Sequence, residues 1–155
     1  MDAIEKNQYR VVRALLFMGA DPNHREGRPL FSAAFSGFTQ VAKILLDWGA
    51  KPDCDYDYGN SLTVAIRKNH VGVAKLLIYY GADVNRGNND DHYSPLNHAV
   101  WTGDFSLVEL LLQRGADVHA NRDLALAQSS YMVFRNGEVV CRELNIALLL
   151  IRYGA

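Results

Sequence analysis

Residues 53–59 read Asp-Cys-Asp-Tyr-Asp-Tyr-Gly, with carboxylates at alternate positions as in a loop that holds calcium. Such a loop also needs glycine at its sixth position and glutamate at its twelfth. Counted from Asp53, those positions are Tyr58 and Val64, so the pattern fails where it is most specific. The better reading is an acidic, tyrosine-rich recognition tip in which Tyr56 and Tyr58 contact a partner. The histidines, His24, His70, His92, His98 and His119, contain no i, i+4 pair. Neither Cys54 nor Cys141 has a second cysteine at metal-ligand spacing. No Ser-His-Asp arrangement, phosphate-cradling glycine loop or paired-carboxylate site stands out. The expectation is a non-enzyme without metal or cofactor.

Composition narrows the partner. The 155 residues include 16 basic and 17 acidic side chains, a formal net charge of −1. That balance removes the general electrostatic case for nucleic acid or anionic membrane, leaving room only for a local basic patch. Apolar residues make up 49% and charged ones 21%, a globular rather than disordered composition. Two cysteines cannot form a disulfide framework, which favours a reducing, cytoplasmic setting. Residues 1–10 are polar and lack a signal-peptide core. The longest apolar runs, such as Ile146 to Ile151, fall far short of the ~20 residues that span a bilayer. A soluble intracellular protein is expected, with another protein as partner rather than a small-molecule substrate. Its oligomeric state stays open.

The elements that must position any such surface announce themselves by repetition. Gly-Ala recurs at 19–20, 49–50, 81–82, 115–116 and 154–155, with glycines 30, 32, 34 and 39 residues apart. Each pair closes a similar apolar phrase, for example Val41 to Leu46 or Leu107 to Leu112. Apolar residues three and four apart form a helix stripe, and glycine just past its end supplies the left-handed C-cap. About twelve residues before these glycines stands a turn residue, Asn7, Gly37, Asn69 or Gly103, preceded by small apolar pairs such as Ala33-Ala34. The pattern predicts a short helix, a tight turn and a longer helix. The polar sequences that follow Gly-Ala predict a turn-rich connection.

At this point the sequence resembles the ankyrin-repeat family, known by a period near 33 residues and a Thr-Pro-Leu-His signature. The fourth unit matches best, with Ser94-Pro95-Leu96-Asn97-His98-Ala99 followed by Gly115-Ala116-Asp117-Val118. The second keeps Pro29-Leu30 but has Arg28 and Phe31 where the family has Thr and His. The third is looser, reading Asn60-Ser61-Leu62-Thr63. The resemblance implies an all-α ankyrin-repeat solenoid of about four and a half helix-turn-helix units with β-turn fingers. The units run approximately 1–22, 23–52, 53–84, 85–118 and 119–155. Ser94-Pro95 caps and starts a helix cleanly; Arg28-Pro29 keeps the proline without the cap, so that helix should start less firmly.

Departures from the period mark the individual surfaces. The finger between Asn23 and Pro29 is about three residues short, and about eleven extra residues enter between the two helices of the last unit. Within that insertion, Asn136-Gly137 flanked by β-branched and aromatic residues predicts a protruding hairpin. The alternative is a first helix extended to about Phe134 and ended by Asn-Gly.

The residues before each inter-helix turn should face the concave groove: Glu5-Lys6, Phe35-Ser36, Arg67-Lys68, Trp101-Thr102 and Ser129-Ser130. A solenoid does not require Phe35 or Trp101 there, unless they pack against neighbouring units. Exposed aromatics beside Arg67 and Lys68 have the composition of a protein-binding hot spot. The fingers add Arg25, Tyr56, Tyr58, His92 and Tyr93. A second stripe, Met18, Trp48, Tyr80, Arg114 and Tyr153, precedes each Gly-Ala and should shield unit junctions. The expected function is non-catalytic recognition of a protein. Two alternatives are a small inhibitor, such as a phage or pathogen counter-defence or toxin-neutralising protein, and a regulatory segment of a larger multidomain protein.

Overall fold

In the computed structural model, residues 8–53, 55–56, 59–87, 93–119, 132–135, 138–141 and 144–155 are described. The helices among them are α1 (Tyr9–Phe17), α2 (His24–Ser36), α3 (Thr39–Asp47), α4 (Ser61–Arg67), α5 (Val71–Tyr79), α6 (Pro95–Thr102), α7 (Phe105–Gln113) and α8 (Leu144–Arg152). They stack in two rows. The first helices α2, α4 and α6 follow one another, and the second helices α1, α3, α5, α7 and α8 form the parallel row. Within units, α2 pairs with α3, α4 with α5 and α6 with α7. The chain is an all-α repeat solenoid.

Packing follows from the phrase. Ala33, Ala34, Ala65 and Ala99 are fully buried between the rows, and their small side chains let the paired helices approach closely. Leu30, Leu62 and Leu96 fill the first row, while Val41, Leu45, Leu77, Val108, Leu111 and Leu150 fill the second. Each unit therefore buries its apolar face against its neighbours. The second helices end as the glycines require. Gly49 has φ +88°, and the Ala50 N–H donates to the Leu45 carbonyl at 2.9 Å, the long bond of a Schellman cap.

Successive fingers are tied to one another by the residue four positions past Gly19, Gly49 and Gly81. Asn23 Nδ2 donates to the Gly49 carbonyl at 3.0 Å, and its Oδ1 accepts the Lys51 N–H at 2.8 Å. Asn85 repeats both bonds with Gly115 and Asp117 at 3.0 and 2.7 Å. Asp53 has no side-chain donor there; its Oδ1 accepts the Asp83 N–H at 2.8 Å, and its carbonyl accepts Arg86 Nη1 at 3.2 Å.

The starts of the first helices differ. Ser94 Oγ accepts the Asn97 N–H at 3.2 Å, and Asn97 Oδ1 accepts the Ser94 N–H at 3.0 Å, a reciprocal capping box. No side chain caps α2. Instead the first residues of α2 are kinked through three left-handed positions, Arg25, Glu26 and Gly27, at φ +49°, +57° and +89°, and the regular helix follows them. Unit three is firmer than its loose signature implies. Asn60 accepts the Thr63 N–H at 2.7 Å through Oδ1 and donates through Nδ2 to the Arg86 carbonyl at 2.7 Å.

Two short ladders sit outside the helices. Strands β1 (Asp55–Tyr56) and β2 (Gly59–Asn60) pair antiparallel, with Tyr56 opposite Gly59. Strands β3 (Met132–Arg135) and β4 (Glu138–Cys141) pair antiparallel with Val133 opposite Val140. The connecting residues 136–137 lie outside the described set, so the turn expected there is not described.

Candidate functional site

Because α2, α4 and α6 stack, their C-terminal ends fall in one row, and that row carries Phe35, Arg67, Lys68 and Trp101. Phe35 is 45% exposed and Trp101 63%, with Arg67 and Lys68 exposed between them in chain order. Phe35 is also held by its neighbours. Its ring lies 6.4 Å from that of Phe31, one turn earlier, and the Lys68 ammonium stands 4.7 Å from its centroid. The attraction of a cation to a ring face at that range orients both side chains. Phe35 thus joins units two and three while keeping nearly half its surface outward. Glu5, Lys6, Ser129 and Ser130 lie outside the described residues.

His70, which follows the turn residue Asn69, has a structural role at this row. Its Nε2 lies 3.1 Å from the Phe35 carbonyl, and its ring packs beneath Gly37 in the preceding inter-helix turn. A Cβ on Gly37 would stand 2.5 Å from His70 Nδ1. The backbone that presents Phe35 is therefore braced by an imidazole from the next unit. The sequence signal was the register of His70, directly after the turn residue Asn69.

Among the finger residues, Tyr93 is exposed and meets His98 edge-on, with ring centres 5.7 Å apart. Arg25 is exposed on the left-handed kink at the start of α2. Tyr56 lies in β1, but its side chain is not described, and Tyr58 and His92 lie outside the described residues. Among the described residues the structure thus brings Phe35 and Lys68 together, and leaves Arg25 and Tyr93 on separate fingers.

The stripe before each Gly-Ala holds the clearest electrostatic network. Lys43 Nζ donates to Asp47 Oδ2 at 2.7 Å, and the Tyr80 hydroxyl donates to Asp47 Oδ1. The hydrogen bond from Lys43, followed by that from Tyr80, holds the Asp47 carboxyl below its ordinary range. The same bonds raise Lys43 and Tyr80, since losing either proton would leave the carboxylate unmatched. Arg114 Nη1 donates to the Ile78 carbonyl at 3.0 Å across the next junction. These contacts clasp neighbouring units.

Among the described residues, no three His, Cys, Asp or Glu side chains are grouped to hold a metal ion. No described helix is long and apolar enough to cross a membrane.

Comparison with known proteins agrees with the architecture. The family profile described as Ankyrin repeats (3 copies) matches residues 1–88, and that described as Ankyrin repeats (many copies) matches residues 62–124. Over 114 residues the chain is 32% identical to ankyrin repeat protein FPV014 of Fowlpox virus (strain NVSL), covering 69% of this chain and 25% of that protein. Over 124 residues it is 33% identical to human Ankyrin repeat and SOCS box protein 6, covering 76% and 30%. Over 129 residues it is 26% identical to Ankyrin repeat and KH domain-containing protein mask-1 of Caenorhabditis elegans, covering 79% and 5%. The chain therefore spans less than a third of the length of each of these relatives.

Proposed function

The chain belongs to the ankyrin-repeat family, and on that premise we propose that it recognises a partner protein through its concave row and fingers. Ankyrin repeats are protein–protein interaction modules, so the coarse function follows from membership; the surface is the finer reading. The observation that carries it is the exposure of Phe35 and Trp101 on the aligned ends of α2 and α6, with Arg67 and Lys68 between. Large aromatics supply contact area at low entropic cost, and the two cations set electrostatic register. Tyr56, Tyr58, Tyr93, His92 and Arg25 would extend the contact along the fingers. Catalysis plays no part in this reading.

The short finger with its left-handed turn favours a dedicated partner, as an inhibitor or effector of one target would have. The relatives whose names include a SOCS box or KH domain favour the other reading, a recognition segment within a larger protein. Affinity capture from the source cell tests the surface itself. Wild type is compared with a Phe35→Ala, Trp101→Ala double variant of unchanged circular dichroism. Loss of the captured partner is expected, and equal recovery by both proteins would overturn the concave-row assignment. Capture by wild type should also weaken only modestly with salt, since aromatic burial and not counterion release drives it.

A further inference from the structure

The repeat allows junctions between successive second helices to be compared position by position. Between α3 and α5, the positions six and two before glycine in one unit, and one before glycine in the next, are Lys43, Asp47 and Tyr80. These close on one another through the Asp47 carboxylate. Between α1 and α3 the same positions are Arg13, Phe17 and Trp48. The carboxylate is replaced by a phenyl ring and the clasp is gone. Phe17 is 83% exposed and the adjacent Met18 81%, the two most exposed large apolar side chains among the described residues. With Arg10, Arg13, Ala14 and Trp48 they line an open groove of about 400 Å³.

The charge of the groove is one-sided. Two arginines line it, and among the described residues no carboxylate does. Arg10 lies 5.8 Å from the Tyr9 ring centroid and donates through Nε to the Tyr9 hydroxyl at 3.3 Å, a neutral partner, so among the described residues no carboxylate pairs with its charge. Arg10 and Arg13 are three residues apart on α1, hence on one face and about one turn apart. A helix lying alongside would match them with two carboxylates one turn apart, while its apolar side met Phe17, Met18 and Trp48. A pocket of this size, apolar with a few placed charges, suits such an anchor. We propose that the groove between α1 and α3 is a docking site, separate from the concave row, for a short acidic amphipathic helix of a partner protein.

The test uses the full chain, labelled with nitrogen-15, and a synthetic amphipathic peptide of about four helical turns. The peptide carries leucine and phenylalanine on one face, flanked by glutamates; a control has lysines in their place. The two indole signals are assigned with a Trp101→Phe variant. The acidic peptide is expected to shift the Trp48 indole and to bind at least about tenfold more tightly than the lysine peptide, as opposite-charge matching requires. Arg10→Glu with Arg13→Glu should reverse that preference, and Phe17→Ser with Met18→Ser should weaken both peptides about tenfold through lost apolar contact. All four side chains are exposed, so these variants keep the fold. Equal binding of the two peptides, no binding, or shifts at Trp101 without Trp48 would each overturn the assignment. A Trp48 shift that grows with protein concentration alone would also overturn it, naming a second copy of the chain as the occupant.

Discussion

The ammonium of Lys68 stands 4.7 Å from the centre of the Phe35 ring, so unit three lays a cation over an aromatic of unit two. The pair connects stability to recognition, since the surface offered to a partner is also an inter-unit contact.

A double-mutant cycle on Phe35→Leu and Lys68→Met should therefore show coupling in stability of about 0.5–1 kcal/mol, the range for an exposed cation–ring pair. Urea unfolding of the four proteins measures it. Additive losses would mean that the contact is geometric without energetic weight.

Gly37→Ala and Gly81→Ala separate backbone strain from steric overlap. Both glycines have positive φ, +72° and +87°, but only Gly37 faces an obstacle, the His70 ring; nothing lies within 4 Å of a Cβ on Gly81. Gly81→Ala should cost about 1–2 kcal/mol for the left-handed conformation alone. Gly37→Ala should cost about 1–3 kcal/mol more, because the ring cannot move without losing its bond to the Phe35 carbonyl. Thermal denaturation checks the order, and equal losses would remove the bracing role of His70.

Glu26→Gly should stabilise the protein. Glu26 sits at φ +57° in the left-handed kink at the start of α2, a conformation costing a residue with Cβ about 1–2 kcal/mol. Glycine relieves that strain and gives back part of the gain through its freer unfolded chain. The expected net gain is about 0.5–1 kcal/mol, read as a higher urea midpoint. A lower midpoint would mean that the carboxylate contributes more than its backbone costs.

Asp104 caps α7, with Oδ1 accepting the Leu107 N–H at 3.0 Å and the Ser106 hydroxyl at 2.7 Å. Partial burial opposes its ionisation, but the hydrogen bonds from Ser106 and Leu107 outweigh it, and the carboxyl lies below its ordinary range. The unfolded chain consequently takes up the proton first as pH falls. Stability from this group is complete above the ordinary carboxylate value near 3.9 and is lost as pH drops through the lower native value. Asp104→Asn keeps a capping oxygen without the titration. The melting-temperature advantage of wild type should shrink between about pH 5 and about pH 3. A constant difference across that range would contradict the assignment.

What the sequence discloses depends on how local the determinant is. Glycine after an apolar stripe stops a helix by its own backbone freedom, so the repeats are readable residue by residue. Ser94 and Pro95 start a helix by contacts within one turn, and that start is equally legible. Asn60 escapes that reading because its signature departs from the family, although an asparagine caps as well as a threonine. His70 escapes it because its partner, the Phe35 carbonyl, is 35 residues away. Arg25 and Glu26 give no sign of a left-handed turn, since both side chains disfavour one; the shortened finger imposes it. Trp101 and Phe35 are predicted at exposed positions and are found there, but the lysine over Phe35 becomes visible only when units stack.

The paired bonds of Asn23 and Asn85 each join one finger to the next, and each unit packs on its neighbours, which determines how the molecule would respond to tension. Pulled along its length, a stack in which each unit contacts its neighbours carries load in series, so each junction bears the whole force in turn. Rupture of a junction frees one unit, and the 32 residues between Gly49 and Gly81 extend to roughly 110 Å at the ~3.5 Å per residue of a stretched chain. Single-molecule extension would trace a sawtooth with teeth of about that spacing, making the solenoid an extensible tether whose slack is released in fixed lengths.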